Sequence, residues 1–347
     1  MVRSPGIGPF TVRALVKPGA FRRCTSCSEK QRSNPGGVMS GATKAEAVYA
    51  AIEEASGLLD VPYTRDKVLS VLTAFGDDIS DESVVVLAMA GGEKYRGEID
   101  YNFTVPTEVG DPYKIAVANG FIEETDHPVS TLASDIAERC DVSFFGVEAG
   151  VVGGFKKTYV FFPLDNLGKL STLAEIPSMP RSVAEHARTF ASIGLDNRIS
   201  IIGVDYISKT MNIYFMAAPV EEKTALSLLS DTGLPEPSAP LLEFIQKSFS
   251  IYPTFSWDSA DISRICFSVV SPDQAAYPTT LHPEIELFAQ NAPHEYEGER
   301  VLVYGATLSR TEEYHKLGVY YRRPPAFWDN LPLADTFEKL VAAQRGA

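Results

Sequence analysis

The chain has 347 residues, 45% hydrophobic and 22% charged, an ordinary globular composition that excludes disorder or a fibrous fold for the whole. Its formal charge of −14 disfavours nucleic acid and anionic membrane as partners, so an anionic ligand needs a local cluster of cations. No run reaches the ~18 consecutive apolar residues of a membrane span, and a soluble protein is expected.

In chain order, residues 1–40 carry seven Lys/Arg against one Glu, a net +6 that leaves −20 for the rest. They are rich in Gly, Pro, Ser and Arg without a sustained apolar segment, and read as a disordered basic extension. An internal start at Met39 explains such an extension better than an organelle transit peptide. The four cysteines make no disulfide framework and fit a reducing cytoplasm. Cys24 and Cys27 form a lone CxxC within the extension, and Cys140 and Cys266 read as small buried hydrophobes.

From residue 41 onward a repeat organises the chain. Helical periodicity runs over Lys44–Leu59 and Arg65–Ala74, and a β-hairpin pattern follows in Ser83–Ala90 and Glu98–Pro106. Helices Pro112–Gly120 and Val129–Cys140 precede the hairpin Val142–Ala149/Phe155–Pro163. Helix Ser182–Ile193 precedes Arg198–Tyr206/Thr210–Met216, and Glu221–Thr232 with Leu241–Lys247 precede Ser248–Trp257/Ser263–Ser271. Helix Pro283–Gln290 precedes Arg300–Ser309/Lys316–Arg322. The markers Tyr101, Tyr159, Ile213, Cys266 and Val319 recur at intervals of 58, 54, 53 and 53 residues. The unit is helix, helix, strand, strand, and residues 41–347 are expected to form one domain of five such repeats with a C-terminal helix.

Alternation in each second strand gives one apolar face, such as Tyr101 and Phe103 or Ile213 and Phe215, and one polar and aromatic face. Amphipathic helices must bury their stripes on a sheet, so the apolar face meets helices. The polar face then looks into a solvent-filled cavity, which a closed ten-stranded antiparallel barrel supplies. An open sheet would leave the polar face in bulk water.

Asp100, Lys157, Asn212, Arg264 and Lys316 stand near the starts of the five second strands, 57, 55, 52 and 52 residues apart, which predicts one level around one lumen. Three cations there make an anion site suited to a phosphate ester, and Asp100 and Asn212 offer hard oxygens for Mg²⁺ bridging a diphosphate. The alternative is internal pairing, for instance of Asp100 with Lys157. Tyr159, Tyr214, Tyr320 and Ser268 continue the same face, with Tyr252 and Ser250 from the fourth first strand. Tyrosine walls can stabilise a carbocation, stack a planar substrate, or simply pack. Asp77–Asp81 matches the DDxxD string of helical isoprenyl diphosphate synthases, but Gly76 ends the preceding helix and a strand follows, so it reads as a solvated turn.

The runs GGFKKTYVFFPLDN (153–166), SFSIYPTFSWDSADISRICFSVVS (248–271) and LVYGATLSRTEEYHKLGVYY (302–321), with IPSMP (176–180) and EIDYNFTVPTEVGDPY (98–113), resemble the bacterial soluble aromatic prenyltransferases of the ABBA fold. The likeness is greatest to the NphB branch of the NphB/CloQ family and spans about Thr43 to Tyr321. It implies a PT barrel ringed by helices, a prenyl diphosphate and a small aromatic acceptor as ligands, and dimethylallyl or geranyl transfer to a hydroxynaphthalene or related phenolic compound. It also implies that Lys157, Thr210, Tyr252, Arg264 and Lys316 grip the diphosphate, that Asp100 and Asn212 stand at the Mg²⁺ site, and that Tyr159 and Tyr320 shield the allylic cation. Val86, Ile201, Phe249, Ser250, Gly318 and Tyr320 fall on the acceptor pocket. Ser200 and Ile201 replace a Gln-Met pair of that branch, and the segment with Phe327 and Trp328 departs from it. A non-catalytic barrel that binds prenylated or polyphenolic metabolites is the competing function. A closed barrel has no free edge, so a monomer is expected.

Overall fold

The computed structural model describes residues 41–92, 95–217, 220–270 and 281–323. The extension 1–40 with its CxxC, the expected C-terminal helix, and Phe327 and Trp328 lie outside the described residues. Among the described residues ten strands occur, paired as five hairpins: β1 (Val85–Ala90) with β2 (Asp100–Pro106), β3 (Phe144–Gly150) with β4 (Gly154–Phe161), β5 (Ile199–Asp205) with β6 (Thr210–Met216), β7 (Ser250–Ser256) with β8 (Arg264–Val270), and β9 (Leu302–Ser309) with β10 (Glu313–Arg322). Every strand is antiparallel to its sequence neighbour, and β1 pairs with β10, which closes the sheet into a barrel. Closure removes the unpaired edges that an open sheet would expose.

Helices α1 (Gly41–Leu58) and α2 (Arg65–Ala74) precede the first hairpin, and α3 (Pro112–Ala118) and α4 (Leu132–Arg139) the second. The α1 stripe Ala45, Val48, Ile52 and Ala55 is buried at helical spacing. Asp111 accepts a hydrogen bond from the Tyr113 amide, and Pro112 stands in the first turn, which fixes the start of α3. A short α5 (Leu170–Ala174), too brief for periodicity to reveal, joins the third unit. The helix expected over Ser182–Ile193 is two helices, α6 (Arg181–Glu185) and α7 (Ala187–Ser192), separated at His186, whose ring bonds the carbonyl of Ala260 at 3.0 Å. Helices α8 (Glu222–Asp231) and α9 (Ala239–Ile245) precede the fourth hairpin, and α10 (Pro283–Asn291) the fifth.

The outward strand residues Tyr101, Phe103, Met211, Ile213, Phe215, Ile265, Phe267, Leu317 and Val319 are almost completely buried. Helices cover them. Phe190 of α7 stacks on Phe215 of β6 at 4.8 Å and meets Phe255 of β7 edge-on at 6.4 Å, contacts worth about 0.5–1.5 kcal/mol each beyond the area they bury. The core is therefore the layer between barrel wall and helices. Inward positions keep partial exposure, as in the strict in-out alternation of β2 and β6, so water reaches the lumen.

Candidate active site

Register brings the expected residues to the lumen from alternate strands. Asp100 on β2 faces Ala88 and Gly150, Lys157 on β4 faces Glu148 and Asp205, and Asn212 on β6 faces Gly203 and Thr254. Arg264 on β8 faces Thr254 and Ser309, and Lys316 on β10 faces Gly305 and Ala90. All lie toward the hairpin-turn end. Thr210 opens β6 opposite Asp205 and Ser256, and its hydroxyl lies 2.7 Å from that of Ser208.

The charge at this end divides into a paired and an unpaired half. Glu148 on β3, 5% exposed, binds the Lys157 ammonium at 2.5 Å and accepts a hydrogen bond from the Tyr159 phenol. Asp205 stands 3.9 Å from the same ammonium. Asp100 binds Lys156 rather than Lys157, and Glu98 is also paired with Lys156, at 3.4 Å. A register shift beside Glu148 makes Lys156 the extra residue of a bulge, which turns two successive side chains into the lumen where alternation allows one. Gly150 makes room for this cluster, since a Cβ there would meet Glu98 Oε2 and Lys156 Nζ at 2.6 Å. Arg264 and Lys316, across the lumen, have no carboxylate partner among the described residues; the Lys316 ammonium lies 5.5 Å from the Tyr314 ring centre.

Burial and the neighbouring Glu148 push the Asp100 carboxyl above its usual range despite the two lysines. Burial acts on Glu148 in the same sense, but Lys157 outweighs it and brings that carboxyl below its usual range. Lys157 itself is desolvated, yet Glu148 and Asp205 hold it more firmly protonated than a free lysine. The pair is ionised throughout the neutral range.

Next along the lumen come the aromatic residues. Tyr214 and Tyr252 stack at 4.4 Å and 17°, and Tyr159 meets Tyr214 edge-on at 6.1 Å and 70°. Tyr252 stands opposite Cys266 on the lumen side, and the Ser268 hydroxyl donates to its phenol oxygen at 2.9 Å. Burial raises all the phenols: Tyr214 and Tyr320 to about 12, Tyr159 and Tyr252 well above 10. These rings are neutral and form an aromatic wall beside the lumen. Tyr320 pairs with Val86, Gly318 with Val303, Ile201 with Tyr214, and Ser250 with Ser268, and these residues line the lumen beyond the cations. Phe249 precedes β7 in a bend, outside the strand's inward register.

Asp100 and Asn212 stand on β2 and β6 with three strands between them, and the Thr254 hydroxyl already donates to Asn212 Oδ1 at 2.6 Å. No cluster of three or more His, Cys, Asp or Glu suited to a metal ion occurs among the described residues. One carboxylate, Asp100, stands at the expected metal position and is paired with Lys156; a cation there would take its other ligands from substrate oxygens and water, as Mg²⁺ commonly does. Asn212 is on hand as a polar lumen group. The Asp77–Asp81 turn is remote from this chemistry: Asp81 pairs with Lys44 at 3.5 Å on the outside. A separate cavity of about 580 Å³, lined by Gly91, Tyr95, His282, Ile285, Tyr314 and His315 among others, borders the start of α10, and none of the expected site residues lines it.

Sequence reasoning missed Glu148 and Lys156. Glu148 is the only charged residue between Val142 and Gly154, and an isolated acid in so apolar a strand is itself a signal of a lumen partner. Lys156 had only its place in the Lys156-Lys157 doublet to mark it, and the bulge that turns it inward has no such mark.

A family model described as "Aromatic prenyltransferase Orf2" matches residues 43–326. The chain is 41% identical over 287 residues to the flaviolin linalyltransferase of Streptomyces virginiae, covering 82% of this chain and 95% of that protein. It is 41% identical over 279 residues to the furaquinocin biosynthesis prenyltransferase of Streptomyces sp. (strain KO-3988), covering 80% and 90%. It is 38% identical over 311 residues to the 5,10-dihydrophenazine-1-carboxylate 9-dimethylallyltransferase of Streptomyces anulatus, covering 89% and 100%.

Proposed function

The chain belongs to the aromatic prenyltransferase family, and we propose that it transfers a dimethylallyl or geranyl group from the diphosphate to a carbon of a hydroxynaphthalene or related phenolic compound inside the barrel. Membership makes it a transferase, which sets aside a purely binding barrel. The observation that carries the assignment of the site is the pair of lumen cations Arg264 and Lys316, which have no carboxylate partner among the described residues and adjoin the Tyr214–Tyr252 stack. Arg264 offers a two-pronged donor to phosphate oxygens and Lys316 a point charge. Lys157, Thr210 and Tyr252 complete the diphosphate grip.

The allylic C–O bond breaks with its electron pair passing to the diphosphate, whose growing charge the cations stabilise. Tyr159, Tyr252 and Tyr320 present neutral π faces to the allylic cation and limit access of water. The acceptor ring, held against Val86, Ile201, Ser250 and Gly318, supplies the electrons of the new C–C bond. The proton displaced from that carbon passes to water or a hydroxyl and restores aromaticity. Orientation of ring and cation within the lumen adds to the effect of charge.

Asp100 is the residue that would hold Mg²⁺, which when bound adds positive charge to the diphosphate, and Asn212 would orient water or phosphate oxygen nearby. The chain acts as a cytoplasmic monomer in this reading: the barrel is closed, no helix among the described residues is long and apolar enough to cross a membrane, and Cys140 and Cys266 are free thiols. Names of relatives guide the test. The protein is incubated with dimethylallyl or geranyl diphosphate and with flaviolin, other polyhydroxynaphthalenes or a dihydrophenazine carboxylate, with and without EDTA. A product heavier by one prenyl unit is expected, with turnover lowered by EDTA and restored by Mg²⁺. Full turnover in EDTA overturns the Mg²⁺ assignment alone, and no product across the panel overturns the proposed substrates.

A further inference from the structure

Glu148 faces the lumen, is 5% exposed, and has both carboxylate oxygens engaged: Oε1 with Lys157 at 2.5 Å and Oε2 with the Tyr159 phenol. Lys157 belongs to the diphosphate grip and Tyr159 to the aromatic wall, so one buried acid joins the two halves of the site. The strand neighbours of Tyr159 are glycines on both sides, Gly146 of β3 and Gly203 of β5. A Cβ at Gly203 would stand 3.0 Å from Tyr159 Cε1, and one at Gly146 would stand 3.1 Å from Tyr159 Cβ and 3.4 Å from Cδ2. The ring therefore lies along the barrel wall over bare backbone, with its hydroxyl tied down at Glu148.

We propose that Glu148 is a positioning residue of the transfer reaction, holding Lys157 and Tyr159 in fixed relation while Gly146 and Gly203 let the tyrosine ring lie flat. This rests on the reading of the lumen as the prenyl-transfer site. Glu148 acts through its two partners, Lys157 and Tyr159. Its negative charge competes with diphosphate for Lys157, and its second oxygen keeps the Tyr159 face toward the allylic cation. Removing the charge should therefore move binding and turnover in opposite directions, which loss of a merely structural contact would not do.

The test compares wild type, Glu148→Gln, Tyr159→Phe and the double variant. A glutamine amide has one acceptor oxygen, so it can keep only one of the two bonds. Calorimetry with inorganic diphosphate is expected to show tighter binding by Glu148→Gln than by wild type, while kcat falls about tenfold or more as the ring loses its place. In the Tyr159→Phe background the same substitution is expected to change kcat by less than about twofold, since the bond is already gone. An unchanged kcat, weaker diphosphate binding, or fully additive effects on kcat overturn the proposal. If wild type forms no product, the functional reading fails separately; the calorimetric comparison still decides the hold on Lys157, supported by tighter and overturned by equal or weaker binding. Should Glu148→Gln not fold, Gly203→Ala takes its place: it pushes the Tyr159 ring off the wall, and a lower kcat at unchanged diphosphate affinity supports the arrangement, whereas wild-type kcat overturns it.

Discussion

Arg264→Ala is expected to lower kcat/KM for the prenyl diphosphate by roughly 10²–10³-fold, the usual cost of removing one preorganised group that meets transition-state charge. The protein should nonetheless fold and melt like wild type. Arg264 faces the lumen opposite Thr254 and Ser309 and carries no ion pair among the described residues, so its removal strands no buried acid. A stability change within about 0.5 kcal/mol follows, as for substitutions that break no buried network. Arg264→Lys keeps the charge and loses the two-pronged geometry, and it should recover only part of the rate. Steady-state kinetics beside thermal melts check this; a rate loss that tracks a fall in melting temperature would contradict it.

Lys157→Ala should behave differently although Lys157 is also a lumen cation. It leaves Glu148 ionised and uncompensated at 5% exposure, and breaking a buried pair from one side costs about 3–5 kcal/mol. Loss of stability and loss of activity are both expected. In Lys157→Ala/Glu148→Gln the buried Glu148 charge goes with its partner, and Asp205 keeps its bonds from the Ile207 and Ser208 amides, so most of the stability should return while turnover stays low. The pH dependence has a definite sign. Glu148 titrates below its ordinary range in the folded protein, so its contribution is present above the unfolded value of about 4.3 and is lost as pH falls through the folded one. Lys157 is held protonated above its ordinary range, so its contribution is complete below about 10.4 and fades only as pH rises through its folded value. Melts of wild type should therefore lose this pair's contribution in acid, and melts of the double variant should lack that component.

The contrast between Arg264 and Lys157 bears on what could be read from residues alone. The ten strands and their closure followed from a period near 53 residues and from faces such as Tyr101/Phe103 against Asp100/Asn102, because alternation and repetition are written directly into the sequence. The inward placement of Arg264, Lys316, Lys157 and Asp100 followed from the same alternation. What escaped was pairing between strands. Equal spacing predicted a ring of three cations, whereas Glu98, Asp100, Glu148 and Asp205 gather around Lys156 and Lys157, and of the expected lumen cations Arg264 and Lys316 have no carboxylate partner among the described residues. That outcome depends on register and on one bulge, and neither has a local signature. The break at His186 has a similar cause: a tertiary bond to Ala260 divides a helical pattern that is continuous in the sequence.

The net charge of −14 thus surrounds a lumen whose cations are partly matched by acids, and the proposed reading assigns the hold on the diphosphate to the unmatched side. A crystal structure with a non-hydrolysable thiolodiphosphate analogue of the donor tests this most directly. Its diphosphate should lie within hydrogen-bonding reach of Arg264 and Lys316, with the prenyl chain running along Tyr252, Tyr214 and Tyr159. An analogue bound instead in the outer cavity beside His282 and His315, with the lumen cations untouched, would contradict the account.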